Sequence, residues 1–245
     1  MEIRSFQLDT EWNMIHYPEK PQGFGILIIG DERHFVEKKN SYWTQNKGKL
    51  NLLRKWQSEG YTIFYSNLYQ KNWGSDKAVY MAKRLYDHIV RHEIINNKIH
   101  LIAEGMGALV AIKLIRAMKG QIRSVLFLNP IFSLKNYLEQ MKEETFFHKK
   151  LRKEISRSYE IEEQEVEKHI KDYSEPSLPN PHPPLCIIHL LADKRAYKQA
   201  AYSQKLVNMW NAKQKNISVF LLLPEKKHAI DTKSISFFKE NEQYL

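Results

Sequence analysis

The chain has 245 residues, 42% of them apolar, and a formal net charge of +10 from 38 Lys+Arg against 28 Asp+Glu. That length suits one domain, and the apolar share can fill a core, which excludes global disorder. Cys186, the single cysteine, excludes an intramolecular disulfide and fits a reducing, cytoplasmic setting; no apolar run approaches the roughly 18 residues that cross a bilayer, and Met1–Asp9 has no secretory core.

The first twenty residues suit an antiparallel hairpin at a sheet edge. Phe24–Ile29 is a continuous apolar run closed by Gly30, the pattern of a strand buried on both faces. A helix is predicted from about Leu50 to Glu59, ended by Gly60, and Tyr61–Tyr65 reads as the next strand. Ser75 is placed to cap a helix whose stripe carries Leu85, Ile89 and Val90. Strands are expected at Lys98–Ile102, Val125–Leu128, Leu185–Leu191 and Ile217–Leu223, the last two buried. This alternation predicts an α/β fold with a mostly parallel sheet between helices. The stretch from Ile131 to His182 breaks the rhythm. It is charge-dense, Ser158–Lys171 reads as one amphipathic helix, and Pro176–Pro184 leads back to the sheet. It reads as a helical cap inserted into a single domain 1–245, or as a surface excursion without a gating role.

Between the Lys98–Ile102 strand and the apolar run Ala108–Ile115 stands Ala103-Glu104-Gly105-Met106-Gly107. Strand, small-residue turn, helix is the setting of the G-x-S-x-G nucleophile elbow, with glycine at the serine position. Two later segments follow in the order acid, then histidine. Ile188–Asp193 is similar to an I-H-G-x-x-D turn, with Leu190 for its glycine. Leu222–His228 is similar to a histidine-bearing loop, with Lys227 where glycine is usual. On these three motifs, from about Phe24 to Ile230, the chain resembles the esterase/lipase-like α/β hydrolases.

The resemblance implies an α/β-hydrolase fold in which Gly105 leaves the nucleophile position vacant. It also implies Met106 N–H and a second N–H, Glu32, as oxyanion donors, and a His228–Asp193 pair. Asp193 can also cap a helix near Tyr197, alone or while facing His228. Glycine cannot form an acyl-enzyme, and it relaxes the strained turn. The leading expectation is a protein that binds a small molecule in the former active-site pocket. The alternative is a hydrolase or lyase with His228 as general base, oriented by Asp193. A third is a protein-interaction module. Glu104 is expected to contact a neighbouring strand or the cap. His100, His189 and Cys186 read as core residues.

Basic residues flank the loops expected at the mouth: Arg33 with His34, Lys194 with Arg195, and Lys226 with Lys227. Converging on one rim, they would suit an anionic carboxylate or phosphate ligand; otherwise they are solvated loop charges. Acidic residues interleave with the basic ones and no nucleic-acid-binding motif is present, so nucleic acid is not the expected partner. There is no zinc or calcium spacing and no dinucleotide fingerprint, so neither metal nor cofactor is expected.

Overall fold

The computed structural model describes residues 2–171, 176–211 and 216–242. Eight strands form one sheet: β1 (Glu2–Leu8), β2 (Glu11–Tyr17), β3 (Gly25–Ile29), β4 (Thr62–Ser66), β5 (Ile99–Glu104), β6 (Ile122–Leu128), β7 (Leu185–Leu190) and β8 (Ile217–Leu222). Their order is β1-β2-β4-β3-β5-β6-β7-β8. β2 runs antiparallel to β1 and β4, and every other pairing is parallel. The N-terminal hairpin is therefore the edge that the sequence predicts, turning through Asp9 at φ 54°.

The helices are α1 (Tyr42–Gln45), α2 (Lys47–Ser58), α3 (Asp76–His92), α4 (Gly107–Ala117), α5 (Leu134–Met141), α6 (Thr145–Tyr159), α7 (Val166–Lys171), α8 (Lys194–Asn211) and α9 (Ala229–Glu240). Alternate residues of a strand face opposite sides, and the core divides accordingly. Ile26 and Ile28 pack with Trp43, Trp56 and Phe238 under α1, α2 and α9. Leu27 and Ile29 pack with Met81, Leu114 and Leu206 under α3, α4 and α8. Both faces being covered explains why β3 reads as unbroken apolar sequence.

Three expectations are corrected. Ser75 stands at the N-cap of α3, but its side chain makes no capping bond. β8 is half-exposed rather than buried, because it is the second edge of the sheet. The helix read over Ser158–Lys171 is instead the end of α6 and the short α7, separated at Glu160, which turns left-handed at φ 55°. Ser156 Oγ donates to Ile161 O across the break.

Between β6 and β7, α5–α7 form a third apolar cluster around Leu138, Leu151 and Ile155, closed against Trp73 and Met106. Their anchor is Glu154 of α6, which accepts Trp73 Nε1–H at 3.1 Å and pairs with Lys71. The loop bearing Trp73 is unusual. Leu68, Tyr69, Gln70 and Trp73 all have positive φ, which costs about 1–2 kcal/mol for each side-chain-bearing residue. Asn72 Nδ2 donates to the Leu68 and Gln70 carbonyls, and buried Glu11 accepts from Tyr69 N–H and Asn67 Nδ2. Glu154→Ala leaves the Trp73 indole N–H without its acceptor and is expected to lower stability by roughly 2–3 kcal/mol in urea unfolding.

No helix among the described residues is long and apolar enough to cross a membrane.

Candidate functional site

β5 delivers Gly105 to the carboxyl end of the sheet, in a left-handed turn at φ +51°, and α4 starts two residues later. The turn is held by Gly105 N–H donating to Leu128 O at 3.0 Å, and by Gly105 O accepting Ile131 N–H at 2.9 Å. A Cβ on Gly107 would sit 2.5 Å from the Ile29 carbonyl oxygen, so only glycine lets α4 start this close to β3.

Asp31, two residues past the end of β3, enters the space above Gly105. A Cβ built on Gly105 would fall inside the Asp31 carboxylate. Asp31 Oδ1 accepts Met106 N–H at 2.9 Å. The donor expected to face an oxyanion therefore faces a carboxylate of the chain itself. Burial raises the Asp31 pKa, and the charge of Glu104 raises it further; the Met106 and Glu32 N–H groups and Lys49 act against this. Glu32, the other expected donor, thus bears on the same carboxylate.

Glu104 pairs with Leu128 of the neighbouring β6 in the sheet, while its side chain turns to α2. It forms an ion pair with Lys49 of α2, and its Oε2 is buried without a partner. Lys49 also lies over the Trp43 ring, 4.8 Å from its centroid.

Above Gly105 is a cavity of about 270 Å³ lined by Asp31, Glu32, Trp73, Tyr137, Asp193 and Arg195 among others. Trp73 and Tyr137 stack with ring centroids 5.7 Å apart. Asn129, left-handed at φ 45°, accepts Leu190 N–H at 2.7 Å and ties the ends of β6 and β7 together. His189 borders the cavity but is buried, with Nε2 2.9 Å from Ser203 Oγ and its pKa pushed down to about 4 by burial. His100 is buried as well, with Nδ1 2.8 Å from Ser124 Oγ. Burial pushes the Cys186 thiol up to about 12, so thiolate chemistry at neutral pH is suppressed.

The structure does not bring Asp193 and His228 together: no hydrogen bond or ion pair joins them among the described residues. Asp193 Oδ1 accepts Ala196 N–H at 2.8 Å and caps α8, which begins at Lys194 rather than near Tyr197. His228 stands at the start of α9 and lines a different cleft, beside α2. Nor do the basic residues share one rim. Arg33 borders a side cavity with Lys150 and Glu154. Lys194 lies 3.9 Å from Glu143, Lys227 joins His228 beside α2, and Lys226 is exposed in a single 3-10 turn, Pro224–Lys226.

Asp31, Lys49, Trp73, Asn129 and Tyr137 are site residues that sequence reasoning missed. One signal was available for Asp31: it follows Gly30 at the carboxyl end of a buried strand, where open α/β sheets place their ligands.

Solved structures share this architecture over nearly the whole chain. An esterase from Pyrococcus furiosus superposes with a TM-score of 0.67 at 13% identity, covering 98% of this chain and 91% of that one. The fold is that of the α/β hydrolases. A lipase/esterase from Lactobacillus plantarum (TM-score 0.64, 11% identity, 98% and 97% covered) and Est1E from Butyrivibrio proteoclasticus (0.63, 10%, 98% and 98%) show the same α/β-hydrolase fold. No family model and no curated relative matches the sequence.

Proposed function

We propose that this α/β-hydrolase-fold chain performs no acyl transfer and binds a small molecule in the cavity above Gly105, beneath residues 131–182 acting as a helical cap. The Asp31 carboxylate carries this reading. Acyl transfer needs a hydroxyl at the elbow and N–H donors left open for the developing oxyanion. Here the elbow residue has no side chain, and Asp31 both fills the space above it and occupies Met106 N–H. An oxyanion formed there would find this donor already held by the Asp31 carboxyl oxygen. With Glu32 and Asp193 set against Arg195, the cavity favours a neutral or cationic ligand over an anionic one. Base catalysis by a His228–Asp193 pair gains no support from the geometry, since no hydrogen bond or ion pair joins them among the described residues and they line different cavities.

The test combines a fluorophosphonate probe with a panel of activated p-nitrophenyl esters. We expect no covalent labelling, and turnover at the buffer rate in wild type and His228→Ala alike. Labelling of wild type, or turnover that His228→Ala abolishes, would overturn the proposal. Neutral and cationic fragments screened by NMR should include binders that lose affinity in Tyr137→Ala.

A further inference from the structure

A second cleft is larger than the one above Gly105. It lies between α2 and the start of α9 and encloses about 710 Å³. Leu52, Leu190 and Ile230 give it an apolar floor, and Arg54, Lys55 and Lys227 stand on its rim beside His228. All four rim residues are exposed.

The charges on this rim are unbalanced. Some cations of the chain are paired, such as Arg4 with Glu93, Lys71 with Glu154 and Lys239 with Glu59. Among the described residues, Arg54, Lys55 and Lys227 form no ion pair. Asp231, the one acid among the described lining residues, accepts Thr232 N–H at 2.7 Å. Lys49, also in the lining, is held by Glu104. Three cations without an ion-pair partner, against the single Asp231 carboxylate, leave this rim net positive and raise the local concentration of anions. The cleft volume falls within the usual range for small-molecule sites, which are mostly apolar with a few polar groups fixing orientation.

We propose that this cleft binds an amphipathic organic anion, its carboxylate or phosphate head among Arg54, Lys55 and Lys227 and its apolar body on Leu52, Leu190 and Ile230. The site is distinct from the cavity above Gly105. Among the described lining residues, Leu190 is common to both, while Asp31, Gly105 and Asp193 belong to the other. It accounts for Lys227 as a ligand-binding cation without placing an anion beside Asp31.

Isothermal titration calorimetry on the full chain tests this, with dodecanoate and dodecyl phosphate as probes, both kept below micelle formation. 1-Dodecanol tests the need for the head group, and inorganic phosphate the need for the chain. Both anionic amphiphiles should bind at least tenfold more tightly than 1-dodecanol, inorganic phosphate should show no saturable binding, and affinity should fall as salt rises. Lys55→Gln/Lys227→Gln should weaken dodecanoate at least tenfold, with Arg54→Gln as an independent single variant in the same direction. Thermal melting of each variant checks that it is folded. Tyr137→Ala, which alters the cavity above Gly105, should leave dodecanoate affinity unchanged. The proposal is overturned if the folded double variant binds like wild type, if 1-dodecanol binds as tightly as dodecanoate, or if Tyr137→Ala abolishes binding. None of these outcomes bears on the fluorophosphonate test of the elbow.

Discussion

Taking the protein from pH 7 to pH 5 is expected to remove roughly 6 kcal/mol of the stability that its buried neutral histidines contribute, offset in part by Asp31, whose raised pKa acts in the opposite direction. The cause is three histidines held neutral in the interior. His16, His34 and His189 are each pushed down to about 4 by burial. None is placed to gain a proton easily. His16 Nε2 meets Tyr65 OH at 2.7 Å, His34 Nε2 meets the Ser66 carbonyl at 2.9 Å, and the Nδ1 atoms of His34 and His189 are buried without partners. In the unfolded chain each would titrate near 6.5. Below that pH the unfolded state takes up protons that the folded state refuses until about 4. The stability is therefore complete above about pH 6.5 and is lost through the window from there to about 4, at about 2 kcal/mol per histidine by pH 5. His100, lowered chiefly by burial, acts in the same direction. Urea midpoints measured from pH 7.5 to 4.5 should fall steeply, with about three protons bound on unfolding. His189→Gln should flatten the slope by about one proton. Midpoints that stay level between pH 7 and 5 would refute the account.

The second large effect concerns the elbow. Gly105→Ala should destabilise the protein by roughly 2–4 kcal/mol, from left-handed backbone strain and from the collision with Asp31. These two causes can be separated. In an Asp31→Ala background the collision is gone, so the same substitution should cost only the strain, roughly 1–2 kcal/mol. A double-mutant cycle should therefore show a coupling of at least about 1 kcal/mol. Strict additivity would mean that Asp31 does not occupy the space above Gly105. Gly105→Ser should behave like Gly105→Ala in stability, and should acquire no esterase activity while Asp31 holds Met106 N–H.

The interior of the sheet was legible because strands covered on both faces are written as apolar runs, and β3, β5 and β7 are such runs. The turn at Gly105 was legible because close packing demands small residues at fixed spacing, as the approach of Gly107 to Ile29 shows. What escaped detection depends on contacts between distant segments or on backbone angles without a residue signature. β6 starts earlier than expected because Arg123 and Ser124 do not look like strand interior, yet Ser124 is buried against His100. The break after α6 falls on a left-handed glutamate where the usual signal would be glycine. Asp31 meets a residue 75 positions away and, in sequence, is one loop acid among many. His228 follows β8 as the resemblance implies. Its position within the fold depends on the short turn Pro224–Lys226 and the immediate start of α9, which leave it beside α2.

The left-handed loop before α3 gives the cavity above Gly105 two kinds of wall, with different freedom to vary. Trp73 is positioned through Asn72 and Glu11, so its geometry is inherited from β2 and β4. The facing Tyr137 belongs to α5, whose cluster connects to that loop by packing, by Glu154 and by Tyr159 OH donating to Trp73 O. Substitutions along α5–α7 that spare Glu154 and Tyr159 can therefore redraw one side of the cavity while the backbone of the other is still held through Asn72 and Glu11. Such an arrangement lets a lineage explore new ligands without reopening the problem of how to fold.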